Sequence, residues 1–221
     1  QFIASFDTPP EELVLDVDAT DDAVHGRQQG RFFHGYYDHH CFLPLYVFCG
    51  EQLLVSYLRR SNQDAAKHAW AVLALLVKRL RRAWPGVRIV LRGDSGFCRW
   101  RMLRWCEDHG VDYLVGLARN ARLERRVEPM MELIEQLAEL TGEPQREFLR
   151  FAYAADSWDR PRSVIAKVEA SPRGRNPRFI LTSLQGDARA LYEERYCARG
   201  EMENRIKEQQ LGLFADRTSA H

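Results

Sequence analysis

The stretch Leu13-Val14-Leu15-Asp16-Val17-Asp18 carries an apolar run into two carboxylates separated by one valine, with Ala19, Thr20, Asp21 and Asp22 following. Side chains two apart on a strand share a face. Asp16 and Asp18 are therefore expected to point the same way and repel each other. A divalent cation relieves that repulsion, and a phosphoryl-transfer nucleophile beside its acid partner is another use for it. The plain alternative ends the strand at Asp16, leaves the acids solvated and uses Asp18, Asp21 and Asp22 to cap a turn.

A second apolar run, "VRIVLRGD", also ends on an acid, Asp94, with Gly93 and Gly96 on either side. The carboxyl ends of strands are where α/β sheets bind ligands. The competing role for Asp94 is to cap the helix that follows at once. Magnesium ions take oxygen ligands, and a pair of them needs a third acid. "YCARGEMENRIKEQQ" supplies Glu203. Tyr196, Arg199 and Glu203 fall at i, i+3 and i+7, on one face of a helix. Asn204 and Lys207 lie alongside, and Glu203–Lys207 read alone is an ordinary surface ion pair. Gly200 in a helix costs about 1 kcal/mol relative to Ala and marks a close backbone approach or a helix break.

The elements that must position these acids follow from pattern. "EELVLDV" and "VRIVLRGD" read as buried strands, "CFLPLYVFCGEQLLVSYLRR" as a hairpin turning at Gly50-Glu51, and "VDYLVGLA" as another strand. "NQDAAKHAWAVLALLVKRLRRAWPG" reads as one long helix with Trp70, Leu73, Leu76, Val77 and Leu80 inward, stopped by Pro85-Gly86. "CRWRMLRWCEDHG" is a helix capped at Gly110, and "ARLERRVEPMMELIEQLAEL" is helical with a break or fresh start at Pro129. "GRQQGRFFHGYYDHH" reads as a loop, residues 146–185 as antiparallel strands, and Ala188 to about Leu213 as helix. Three strands followed by alternating helices and strands predict a mixed sheet covered by helices. A ribonuclease H-like core is a candidate; a doubly wound parallel fold is disfavoured because the first connections are too short for crossover helices.

Composition narrows the classes. The 221 residues are 45% hydrophobic and 29% charged with net charge +1, so no overall basic field announces nucleic acid. The cations are 28 Arg and 4 Lys; arginine suits phosphate contacts, but a G+C-rich genome explains the bias first. Five scattered cysteines without CxxC argue against a zinc ribbon or disulfide scaffold and fit a reducing cytosol. They are expected to be small core residues. Adjacent His39, His40 and Cys41 alternate faces on a strand, so zinc is not expected there. No signal peptide is present, and the longest apolar run breaks at Lys78, short of a membrane span. The chain begins at Gln1 and stops at His221 just after an amphipathic stretch; both ends read as cut, as in part of a longer protein.

"LDVDATDDAVHG", "YDHHCFLPLYVF", "LRGDSGFC" and "YCARGEMENRIKE", in this order, closely resemble the transposase DDE domain group 1 family. Tyr196-(2)-Arg199-(3)-Glu203 resembles the start of the Y-(2)-R-(3)-E-(6)-K signature of DDE transposases of bacterial insertion sequences. The resemblance implies a ribonuclease H-like core over residues 1–145 and 186–221, with a β-rich insertion at 146–185. It implies that Asp18, Asp94 and Glu203 are the catalytic triad and hold two Mg²⁺ or Mn²⁺ ions, Asp18 bridging them. Two such ions about 4 Å apart activate the attacking hydroxyl and stabilise the leaving oxygen at a DNA phosphate. Tyr196 and Arg199 would hold the scissile phosphate. The signature lysine falls on Gln210, and Lys207, one turn earlier, is the substitute. In the insertion, Trp158 either packs on a neighbouring strand or holds a flipped base, with Arg160 and Arg162 near the DNA backbone. Implied partners are the double-stranded DNA of transposon ends and target and a second copy in a synaptic dimer, in a cytoplasmic, nucleoid-associated setting and with no membrane. The end-recognition part is expected outside this chain.

Two rivals remain at this stage. A truncated or decayed remnant would bind DNA without cutting it. "DVDAT" also matches the opening of haloacid-dehalogenase-like phosphatases, with Asp16 as nucleophile and Asp18 as acid, although "GDSGFCRW" lacks the second acidic pair such enzymes need.

Overall fold

The computed structural model of the protein describes residues 1–24 and 26–212. Strand β1 (Glu12–Ala19) is apolar on every second residue, and its two sets of side chains enter two different cores. Leu13, Leu15 and Val17 face one side with the buried residues of three helices: α1 (Ala69–Ala83), α2 (Trp100–Asp108) and α3 (Ala121–Thr141). Val14 faces the other, against the C-terminal helical segment. Asp16 and Asp18 continue the Val14 set, so both acids do share a face, as their spacing predicts.

Five short strands precede α1: β2 (Asp22–Ala23), β3 (Phe32–His34), β4 (His39–Phe42), β5 (Leu45–Cys49) and β6 (Gln52–Tyr57). β1 pairs antiparallel with β5, and β5 with β6; the turn between β5 and β6 sits at Gly50, whose φ is +56°. On its other edge β1 pairs parallel with β7 (Arg88–Gly93), and β7 parallel with β8 (Asp112–Leu117). The order β6-β5-β1-β7-β8, with α1 and α2 as the two crossovers, is a ribonuclease H-like sheet. Beyond β8 come β12 (Arg178–Thr182) and β10 (Arg162–Ser171), the latter flanked by β9 (Gln145–Tyr153) and the short β11 (Gly174–Arg175). The β-rich stretch is thus hydrogen-bonded into the same nine-stranded sheet.

Several local expectations are corrected. The aromatic stretch read as a loop holds β3 and part of β4, which with β2 form a separate three-stranded sheet; its phenylalanines and histidines favour extended backbone, with a tight turn at Gly35–Asp38 between them. Helix α1 starts only at Ala69, after His68 turns the chain with a φ of +67°. Trp70 consequently points out, 53% exposed, and Ala69 takes the inward place expected for it. Helix α3 passes through Pro129 without a break. Cys41 and Cys106 are core residues as expected, whereas Cys197 is exposed. Among the described residues no helix is long and apolar enough to cross a membrane.

The last segment is helical but not uniformly α. α4 (Ala188–Ala190) leads into a π-helical turn over Leu191–Tyr196, a 3₁₀ turn over Cys197–Arg199 and then α5 (Gly200–Gly212). Leu191 and Tyr192 bury against Val90, Leu114, Ile165 and Ile180, and Met202 and Ile206 against Tyr46 and Phe48. These contacts lay the segment across the face that carries Asp16 and Asp18.

Candidate active site

Asp18, Asp94 and Glu203 line one cavity of about 500 Å³, together with Arg199, Lys207 and Tyr36. Asp18 arrives at the end of β1 and Asp94 just past the end of β7, the strand beside it. Glu203 comes from the first turn of α5. Three segments far apart in sequence, two strand ends and a helix, thus line one cavity with carboxylates.

The electrostatics show why the cluster is tolerated. Burial pushes the Asp18 carboxyl above the ordinary carboxylate range; Arg199 opposes this, while Asp94 and Glu203 add to it. Arg199 sits between the acids: its Nη2 is 3.2 Å from Asp18 Oδ1 and its Nη1 3.4 Å from Glu203 Oε1. Glu203 thus pairs with Arg199 rather than with Lys207. Burial alone would pull the guanidinium down, but Asp18, Asp94, Tyr196 and Glu203 together raise it, so it stays charged. Its Nε is buried and has no hydrogen-bond partner among the described residues.

Asp16 lies on the same face but in a different environment. It is 4% exposed and held by both arms of Arg92, at 2.5 Å from Nε and 2.7 Å from Nη2. Arg92 is its register partner on β7 and also donates to the carbonyl of Arg195. The repulsion between Asp16 and Asp18 is therefore met by two arginines, one apiece. With both oxygens engaged and buried, Asp16 is no free nucleophile, and the phosphatase reading loses its attacking group.

Asp94 keeps the capping role that was its alternative: its Oδ1 accepts from Gly96 N at 2.8 Å. Gly116 of β8 leaves room for this turn. A Cβ there would lie 2.7 Å from the Tyr196 hydroxyl and 2.8 Å from Ser95 N. Forced overpacking typically costs 1–3 kcal/mol. Gly116→Ala is expected to lower the melting temperature and to shift Asp94 and Tyr196 together; thermal denaturation checks the first effect, and a crystal structure of the variant the second.

Tyr196 lines a neighbouring cavity of about 580 Å³ that shares Asp94 with the first and is edged by Arg119, Lys167 and Arg178. Lys167 is paired with Glu169 at 2.7 Å, while Arg119 and Arg178 meet no carboxylate among the described residues. Sequence reasoning missed both arginines, because nothing in their neighbourhoods sets them apart in an arginine-rich chain. Gln210, at the signature lysine's position, donates from Nε2 to the Asp21 carbonyl at 3.0 Å and ties α5 to the end of β1. Lys207 faces the cavity.

Trp158 is not brought to the acids. Its ring packs at the edge of the main core, edge-on to Tyr153 at 5.6 Å and under Arg162 at 5.7 Å. Arg162 is buried in ion pairs with Glu107 and Asp159, so it has no free face for a DNA backbone. The packing alternative for Trp158 matches this placement. His39 pairs with Asp21 at 2.7 Å, while Cys41 is buried.

Among the described residues no three His, Cys, Asp or Glu side chains are gathered in ion-binding geometry; Arg199 takes the intervening place. The donor set nevertheless fits a hard dication: three carboxylates, all oxygen donors, one of them partly buried and destabilised by the other two.

The profile of the family described as transposase DDE domain group 1 matches residues 1–221. Among solved structures, the chain is similar to a cryo-EM structure of piggyBac transposase in a synaptic complex with hairpin DNA, at 12% identity and a TM-score of 0.48. That likeness covers 90% of this chain and 40% of the other. No curated protein matches the chain.

Proposed function

The chain belongs to the transposase DDE domain group 1 family, and from that premise we propose that it cuts and joins DNA strands at insertion-sequence ends, with Asp18, Asp94 and Glu203 as the catalytic carboxylates. The carrying observation is their convergence from three distant segments on one cavity. Asp18, Asp94 and Glu203 would hold two Mg²⁺ or Mn²⁺ ions. When bound, such ions supply an activated hydroxyl and charge stabilisation for the leaving oxygen.

The chain's own residues account for the rest. Arg199 presents a planar fork suited to a phosphate and lies in the cavity beside the carboxylates of Asp18 and Glu203. Lys207 adds a positive charge at the same wall. Tyr196, Arg119 and Arg178 edge the adjoining cavity and would hold the backbone as it leaves Asp94. DNA is the partner, with a second copy in the complex that pairs two ends, and the nucleoid is the setting. Residues 146–185 extend the core sheet and act as the family's β insertion.

The test is cleavage of a duplex carrying the sequence that flanks the gene. The purified chain is expected to release a discrete end in Mg²⁺ or Mn²⁺ and to lose this activity in chelator. Binding without cleavage in either ion would overturn the reading in favour of an inactive remnant.

A further inference from the structure

The hairpin of β3 and β4 ends in a tight turn, with Asp38 at a φ of +57°. Tyr36, in that turn, is 85% exposed and still lines the cavity of the three acids. A large ring left in water beside a cavity is held there by what lies behind it. Tyr36 meets Tyr37 edge-to-face at 5.0 Å, and Tyr37 in turn meets His34 at 4.9 Å. His39, across the hairpin, is fastened to Asp21, three residues beyond Asp18. Pairing of β2 with β4 ties the whole hairpin to the end of β1. The ring is thus mounted on a hairpin tied close to the end of the strand that carries Asp18, and it is largely exposed.

We propose that Tyr36 is a base-stacking residue that takes one unpaired nucleobase next to the phosphodiester held at the acids. This rests on the reading of that cavity as the DNA-cutting site. Inside a duplex both faces of a base are already covered by its neighbours. An exposed tyrosine ring therefore gains most from an unpaired base, whose two faces are both open, and such stacking is tolerant of base identity. The cations Arg199 and Lys207 line the same cavity, so one nucleotide can present its phosphate to them and its base to the ring. Trp158, by contrast, has its ring covered by Tyr153 and Arg162.

Fluorescence anisotropy of labelled DNA, without divalent metal, tests this on two duplexes: one blunt and one ending in a single unpaired nucleotide. The wild-type chain is expected to prefer the second by roughly tenfold, the size that stacking of one base confers. Tyr36→Ala should equalise the two, Tyr36→Phe should keep the preference, and Trp158→Ala should lower the melting temperature while keeping it. No preference in the wild type, or an unchanged preference in Tyr36→Ala, would overturn the assignment. If that occurs while metal-dependent cleavage persists, only the role of Tyr36 falls; absence of both DNA binding and cleavage removes the reading of the cavity itself.

Discussion

If the proposed function holds, Asp18→Asn is expected to abolish DNA strand cleavage without lowering the melting temperature. The loss expected is a thousandfold or more, on the order of 4 kcal/mol of barrier, because the variant removes one of the three proposed catalytic carboxylates. The stability half follows from sign. Burial raises the folded-state pKa of Asp18 above its unfolded value, with Asp94 and Glu203 reinforcing the shift. The ionised carboxylate therefore costs stability at neutral pH, and the cost vanishes as pH falls through the folded pKa. Asparagine removes it at all pH values. Arg199 keeps Glu203 as a partner, so no cation is orphaned. Gel assays of cleavage and calorimetry read the two effects separately. Cleavage within tenfold of wild type would exclude Asp18 from the catalytic set.

Asp16→Asn gives the opposite signature, although it lies only two residues away on the same face. It leaves Arg92 buried beside an amide instead of a carboxylate. Breaking one side of a buried pair typically costs 3–5 kcal/mol. For a chain of this length each kcal/mol moves the melting temperature by roughly 2–4 °C, so a drop of about 6–20 °C is expected. The three carboxylates of the cavity remain, and cleavage should persist below the new melting range. The pair is not a net stabiliser in itself: burial holds Asp16 above the usual carboxylate range despite Arg92. The double variant Asp16→Leu, Arg92→Met should accordingly recover most of the loss. A single variant that melts with the wild type would show that Arg92 finds another partner.

Much of this was readable before the structure, for identifiable reasons. Apolar runs that stop on an acid announce a strand end with a charged face, and β1 and β7 are of that kind. The short connections before α1 leave room for hairpins but not crossovers, which orients β5 and β6 antiparallel. What escaped depends on register or helical phase. Asp16 finds Arg92 only because β1 pairs with β7 in one register, which neither run encodes. Tyr196, Arg199 and Glu203 share a face in an ideal α-helix, but a π turn lags behind that phase and a 3₁₀ turn runs ahead of it. Tyr196 consequently lines the neighbouring cavity instead of the one holding Arg199 and Glu203. Tyr36 escaped because a glycine- and aromatic-rich stretch has no alternation to mark its short strands. Trp158, in a polar turn, read as a loop residue because its cover comes from Tyr153 and Arg162, one on the preceding strand and the other just beyond the turn.

Arg199 has one more consequence. In zinc fingers and other small metal-dependent domains the ligands have little else to hold them together, and metal loading and folding become one event. Here a guanidinium already lies between Asp18 and Glu203. Arg199 offsets part of the acids' mutual repulsion on its own. Folding is therefore expected not to depend on a bound ion: in chelator the chain should still melt cooperatively, which calorimetry reads directly.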